Sequence, residues 1–97
     1  MAKGYWIARI TVTNPEGYGL YAGKAGPAVA KFGGRYLARG GQYTAVQGEA
    51  RDRNVIVEFP SYQAALEAWN SPEYQEAKSH RDGNCEAEFV VVEGFES

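Results

Sequence analysis

Histidine and cysteine are nearly absent from this chain of 97 residues, which contains one of each, His80 and Cys85. A single cysteine excludes an internal disulfide. With only one histidine and one cysteine, the chain has few of the usual ligands for a metal centre or a haem. We therefore expect no metal and no cofactor. So few cysteines are typical of a reducing compartment, and they favour a cytoplasmic location.

The chain also lacks an excess of positive charge and any long apolar run. Its 10 Lys and Arg against 12 Asp and Glu give a net charge of -2. Nucleic acids and anionic membrane surfaces are normally bound by basic patches, so neither is expected as a partner. No apolar stretch approaches the roughly 18 residues that cross a bilayer, and we expect no signal peptide.

Apolar patterning predicts four strands and three helical segments. The first helix begins at Asn14-Pro15-Glu16, a cap followed by proline at the first turn, and it ends before Gly33-Gly34. Later helices begin after Pro60-Ser61 and at Ser71-Pro72-Glu73. The predicted strands are 5–12, 35–39, 53–59 and 88–95.

The order strand, helix, strand, strand, helix, strand predicts an α+β fold. Right-handed crossovers turn it into a ferredoxin-like split β-α-β sandwich, with one antiparallel four-stranded sheet covered by helices on one face. We expect residues 1–97 to form one such domain. The second face of the sheet would be bare, so we predict a homodimer in which two sheets pack face to face.

Two glycine motifs resemble nucleotide-binding signatures without their context. Gly17-Tyr18-Gly19-Leu20-Tyr21-Ala22 matches a dinucleotide fingerprint, but it lies inside the predicted helix and lacks the acidic residue about 20 positions later. Around Gly23-Lys24-Ala25, the first glycine and the hydroxyl residue of a phosphate loop are missing. Neither motif predicts a cofactor.

Charges inside the predicted strands are the stronger functional signal. They are Arg9, Arg35, Arg39, Arg53, Glu58 and Glu93. A buried charge is costly unless it is paired, so such positions indicate an Arg/Glu network, which is the favoured interpretation, or a ligand site. Arg9 and Glu58 lie on the two strands expected to be central, where we expect the least exposure to solvent. Arg39 precedes Gly40-Gly41, where we expect a bulge or a bend and a close approach of backbone to ligand.

The aromatic residues and His80 complete the set of candidates. Tyr21, Trp69 and Tyr74 would line a pocket or simply fill the core, and core is the usual role. His80 is a candidate acid or base because it titrates near neutral pH, as is Glu58 in an enzyme. The more common role of a histidine at a helix end is interaction with the negative end of the helix dipole.

Several segments together resemble the domain-of-unknown-function family 1330. They are Gly4-Tyr5-Trp6, Asn14-Pro15-Glu16, residues 33–41 and 53–61, Ser71-Pro72-Glu73-Tyr74-Gln75 and Val92-Glu93-Gly94. The resemblance covers nearly the whole chain and implies a small bacterial protein of the dimeric α+β barrel superfamily. It implies no catalytic residue. Asn14 departs from the aspartate of many relatives, and both residue types cap helices.

Three functions remain open from the sequence. The first is binding of a small organic molecule, with or without a carboxylate, between the sheet and the helices. Arg9 and Arg39 would hold the anionic group, and the residues around the ligand would be Tyr21, Glu58, Trp69 and Tyr74. The second is a cofactor-free oxygenase or isomerase, by analogy of fold. The third is a purely structural dimer.

Overall fold

The computed structural model of the chain describes residues 2–96. Seven elements follow one another along it. They are β1 (Gly4–Val12), α1 (Pro15–Lys31), β2 (Arg35–Arg39), β3 (Arg53–Phe59), α2 (Tyr62–Asn70), α3 (Pro72–Ser79) and β4 (Cys85–Glu93). The strands form one sheet in the order β2-β3-β1-β4, with every neighbouring pair antiparallel. The predicted ferredoxin-like α+β fold is therefore confirmed.

Two local predictions are wrong, the start of β4 and the side-chain cap of α1. β4 begins at Cys85 rather than at residue 88, because residues 85–87 continue the ladder with β1. The chain does bend at Gly40, which has a φ of 73°, but the bulge in β2 lies earlier, at Leu37, between the paired residues Tyr36 and Ala38. The Asn14 side chain donates to Asn84 Oδ1 at 2.9 Å instead of capping α1.

The core lies between the sheet and the helices. On β1 the even-numbered residues Trp6, Ala8 and Ile10 are each 1–2 % exposed, whereas Ile7 and Arg9 point to the opposite face. This alternation is the period of two that a strand imposes. Trp6 also donates from Nε1 to the Ala65 carbonyl of α2 at 2.9 Å, which fixes the helix over the central strand.

Ser71 separates α2 from α3 and is buried. Its hydroxyl accepts from the Tyr74 amide at 3.1 Å and donates to the Ala68 carbonyl at 2.8 Å. One side chain thus caps the start of α3 and donates a hydrogen bond to a free carbonyl at the end of α2. This agrees with the prediction that a new helix begins at Ser71-Pro72-Glu73.

The other face of the sheet carries no helix. Its middle is apolar, with Ile7 42 %, Val90 55 % and Val92 38 % exposed. Charged side chains flank this apolar strip. At one end Arg51 forms two hydrogen bonds with Glu88, and at the other Arg35 pairs with Glu58. We call this surface the open face.

Candidate ligand-binding site

A cleft lies between α1 and the helix-covered face of the sheet. Its floor is apolar and comes from the strands, and its rim carries tyrosines and two arginines. The lining consists of Trp6, Ala8, Ile10, Tyr18, Tyr21, Ala22, Ala25, Tyr36, Arg39, Arg53, Val55, Val57 and Phe89. An apolar cleft with a few convergent polar groups is the usual form of a small-molecule site.

The irregularity in β2 places Arg39 at this cleft. Tyr36 pairs with Val57, and Arg39 pairs with Val55. Because both valines face the core, Tyr36 and Arg39 lie on that same face of the sheet. In a regular strand, residues three apart point to opposite faces. The extra residue at Leu37 brings them to one face, as bulges commonly do. The Arg39 guanidinium then lies 4.2 Å from the centre of the Tyr36 ring.

Arg53 reaches the cleft from the start of β3. It lies two residues before Val55 and therefore shares the face of the core residues. Its guanidinium is 5.5 Å from the centre of the Tyr18 ring, and its Nε is buried without a hydrogen-bond partner. Neither Arg53 nor Arg39 forms an ion pair with a carboxylate of residues 2–96.

Burial raises the pKa of the Tyr18, Tyr21 and Tyr36 hydroxyls above the ordinary value for tyrosine. Nearby guanidinium charges oppose this effect without cancelling it. All three hydroxyls are therefore protonated at neutral pH and can donate hydrogen bonds. Two cations and three neutral donors around an apolar floor form an arrangement suited to an organic anion.

The cleft is narrow in this conformation. Including its open mouth it measures about 400 Å³, but the centre of a water molecule can reach only about 20 Å³ of it. That is room for roughly one or two waters. Arg39 is exposed and Tyr36 half-buried, so this stacked pair is less enclosed than the rim residues Tyr18 and Tyr21, which are buried.

The structure separates the site residues predicted from sequence. Tyr21 and Arg39 line the cleft, whereas Arg9 and Glu58 lie on the open face and do not meet them. Both residues do lie on central strands, but the expected low solvation is wrong for Arg9, which is exposed because it points away from the helices.

Arg9 and Glu58 take part in networks of the open face. Arg9 donates to the Glu49 carbonyl at 2.9 Å and lies 3.9 Å from Glu88. Glu58 accepts from Arg35 Nε at 2.9 Å and from the Tyr5 hydroxyl at 3.2 Å. The hydrogen bond from Arg35 holds the pKa of the Glu58 carboxyl below its ordinary value, which weakens this group as a base.

The remaining candidates lie beside or away from the cleft. Trp69 and Tyr74 pack in the aromatic cluster around Trp6, with ring centres 5.7 and 4.7 Å from it. Tyr74 is 1 % exposed and bonds the Tyr21 hydroxyl at 2.8 Å. His80 ends α3, where its Nε2 lies 3.1 Å from Glu76 Oε1, and it does not line the cleft.

Sequence reasoning gave Arg53 only as one of six charged strand positions, and it did not select Tyr18 or Tyr36 for the site. The sequence does indicate where two of them point. Arg53 lies two residues before Val55 on the same strand, so both side chains are on one face of the sheet, and Tyr18 lies three residues before Tyr21, on the same side of the helix. The position of Arg39 depends on the bulge, which no sequence signal indicated.

Within residues 2–96 no group of three or more acidic, histidine or cysteine side chains could hold a metal ion. None of the helices in this range has the length and apolar character that a lipid bilayer crossing requires.

Three solved structures share this fold at low sequence identity. A protein of unknown function from Rhodopseudomonas palustris has a TM-score of 0.80 and 21% identity, covering 99% of this chain and 85% of its own. SnoaB, a cofactor-independent oxygenase from Streptomyces nogalater, has a TM-score of 0.62 and 11% identity, covering 100% and 97%. A dimeric ferredoxin-like protein of unknown function from Thermobifida fusca has a TM-score of 0.53 and 12% identity, covering 95% and 89%.

At these identities the likeness shows the fold alone. No match is found among curated proteins. A family model does match, over residues 3–95, and its description is "Domain of unknown function (DUF1330)". Because this match spans nearly the whole sequence and confirms the resemblance seen in its motifs, the chain belongs to the DUF1330 family.

Proposed function

We propose that this protein binds a small organic anion, with a carboxylate and an aromatic or other flat apolar body, in the cleft between α1 and the sheet. The carboxylate would lie between the Arg39 and Arg53 guanidiniums, and the body would rest on the floor around Trp6 and Phe89. Arginine is the side chain best suited to hold a carboxylate through two parallel hydrogen bonds.

The observation that carries this proposal is the unpaired positive charge at the cleft. Elsewhere in the described part of the chain, Arg9, Arg35 and Arg51 all lie within ion-pair distance of a glutamate. Arg39 and Arg53 instead stack on tyrosines, and the Arg53 Nε remains without a partner. A buried donor without a partner costs about 1–3 kcal/mol, which a bound carboxylate would recover.

Ligand entry requires the rim to move, because the enclosed space holds only a few atoms. We expect the Arg39 and Tyr36 side chains to swing outward together, since they are stacked and lie on an edge strand. We expect the floor to stay in place, as its residues Trp6 and Val57 are almost fully buried.

An enzyme is the alternative, because one structural neighbour is named a cofactor-independent oxygenase. Base-assisted chemistry of that kind needs a group that accepts a proton at neutral pH. The lining contains no carboxylate and no imidazole, and burial raises the pKa of its tyrosines Tyr18, Tyr21 and Tyr36. Glu58 and His80, the candidate bases, lie outside it. Binding is therefore the function that we propose first.

We propose in addition that the protein acts as a homodimer joined through its open face, in the reducing environment that the single cysteine favours. Ile7, Leu37, Val90 and Val92 give that face an exposed apolar strip. Its charged ends bear both signs, Arg35 with Glu58 and Arg51 with Glu88, which suits a self-complementary contact. One structural neighbour is described as dimeric.

Titration with benzoate tests the ligand class, with benzamide as a neutral ligand of the same shape. Trp6 lines the cleft and Trp69 lies beside it, so tryptophan fluorescence reports binding. We expect benzoate to bind and benzamide to bind far less. Arg39→Gln and Arg53→Gln should each weaken benzoate about 10- to 100-fold, the effect of losing a hydrogen bond to a charged group.

Arg9→Gln is the matched control, because it removes the same charge from the open face. It should leave benzoate affinity unchanged. Equal binding of benzoate and benzamide, or equal weakening by all three substitutions, would contradict the proposal. So would flat fluorescence across benzoate, phenylacetate and other aromatic carboxylates.

A further inference from the structure

A chain of buried polar groups begins at the cleft and continues behind it. Tyr21 lines the cleft, and its hydroxyl lies 2.8 Å from that of Tyr74. Tyr74 is 1 % exposed and Tyr21 6 % exposed, so Tyr74 is the deeper member of the pair.

The geometry of this hydrogen bond allows either hydroxyl to be the donor. Each hydroxyl has one proton to donate. Among residues 2–96 the Tyr74 hydroxyl has no acceptor other than the Tyr21 oxygen, and a buried donor is rarely left unpaired. We take Tyr74, the more deeply buried of the two, as the donor to Tyr21. The proton of Tyr21 is then free for an acceptor in the cleft, which Tyr21 lines.

Arg81 supplies positive charge behind the pair. It is 8 % exposed, and its guanidinium lies 5.3 Å from the Tyr21 ring centre and 4.5 Å from that of Phe89. Its Nε is buried without a partner, and no carboxylate within residues 2–96 forms an ion pair with it. Arginine stays protonated in proteins, so an uncompensated charge faces the tyrosine pair.

We propose that Tyr21, polarised by Tyr74 and Arg81, is a donor for an anionic oxygen at the inner end of the ligand, so that the cleft selects carboxylates bearing a second, ionised oxygen such as a phenolate or enolate. This inference rests on the proposed function and specifies its ligand. A charge-assisted hydrogen bond from a phenol is strongest to an oxyanion, and the nearby guanidinium favours the same charge. On binding, the phenol of such a ligand releases its proton to solvent.

The probe is 4-hydroxy-3-nitrobenzoate, whose phenolate absorbs visible light that the neutral phenol does not. Absorbance is followed against pH for the free and the protein-bound compound. We expect binding to lower the phenol pKa of the probe by about one unit, which corresponds to a tenfold preference for the phenolate. Tyr21→Phe should abolish this shift, and Arg81→Gln should reduce it.

Tyr5→Phe is the matched control, since it removes a tyrosine hydroxyl from the open face, where Tyr5 donates to Glu58. It should leave the shift unchanged. A shift that survives Tyr21→Phe, or that Arg39→Gln abolishes instead, overturns the inference. If Tyr21→Phe does not fold, an undiminished shift in Arg81→Gln has the same meaning. Benzoate binding without any phenolate preference overturns this inference alone, whereas failure of both compounds to bind overturns the proposed function with it.

Discussion

At the scale of single residues, the arginines divide according to their partners. Arg9, Arg35 and Arg51 contact glutamates on the open face and behave as parts of a structural network. Arg39 and Arg53 contact tyrosine rings at the cleft. The side of the sheet decides the role, because helices and apolar strands shield one face from compensating carboxylates.

The pair formed by Arg35 and Glu58 predicts a pH-dependent effect on stability. Arg35 lowers the pKa of Glu58 in the folded state, so the stabilisation is present above the ordinary carboxyl pKa and is lost as pH falls through the lowered value. Arg35→Gln should therefore lower the free energy of unfolding at pH 7 and have a diminishing effect towards pH 3. Urea unfolding at several pH values measures this.

Arg39→Gln is the control for this experiment, because no carboxylate of residues 2–96 pairs with Arg39. Its effect on the free energy of unfolding should be the same across that pH range. If Arg35→Gln is equally costly at pH 3 and pH 7, the ion pair does not contribute as described.

At the scale of elements, α1 forms despite a composition that disfavours a helix. Its apolar positions Tyr18, Tyr21, Ala25 and Val29 recur at helical spacing and are all buried, so packing supplies the stability that propensity lacks. This periodicity made the helix predictable from sequence. The helix starts at Pro15 without the predicted side-chain cap. The Asn14 side chain instead donates a hydrogen bond to Asn84, the residue just before β4.

Two glycines of α1 should respond in opposite ways to the same substitution. A Cβ at Gly23 would meet no atom within 4 Å, so Gly23→Ala should raise the free energy of unfolding by about 0.5–1 kcal/mol through helix propensity alone. A Cβ at Gly17 would lie 2.3 Å from the side chain of Asn84, which also holds Asn14. Gly17→Ala should therefore lower it by about 1 kcal/mol, because moving Asn84 would break its hydrogen bonds with Asn14 and the His80 carbonyl, at about 1 kcal/mol each, and the gain in helix propensity offsets only part of that loss.

Thermal or urea unfolding of the two variants side by side measures this contrast, with the wild type as reference. Because both substitutions lie in one helix and add one methyl group, differences in the unfolded state largely cancel. A stabilising Gly17→Ala would mean that the Asn84 side chain moves aside without loss.

At the scale of the whole molecule, the sheet has a covered face and a bare one, as the order of elements predicted. Within residues 2–96 the structure has three helices, and all of them lie on one side of the sheet. The bare face keeps apolar side chains in its centre, which is why we propose that a second copy covers it.

The dimer prediction is tested by placing a charge in the apolar strip. Ile7→Lys should convert the dimer to a monomer, because a lysine in the middle of the contact would be buried without a partner. Leu20→Lys is the matched control, since Leu20 is 61 % exposed on α1 and lies away from the open face. Light scattering at micromolar concentration measures both. A monomeric wild type would overturn the proposed assembly.

The sequence by itself determined the order of the elements, the antiparallel four-stranded sheet and most of the core. These follow from local periodicity, which each segment carries regardless of its neighbours. Tertiary structure decided which charges meet. The bulge at Leu37 turns Arg39 to the face of Tyr36, strand parity sends Arg9 to the other face, and packing of β4 buries Arg81 beside Tyr21. These contacts depend on strand register and on packing between distant segments of the chain. A change of one residue in the register of a strand would turn each of its side chains to the opposite face of the sheet.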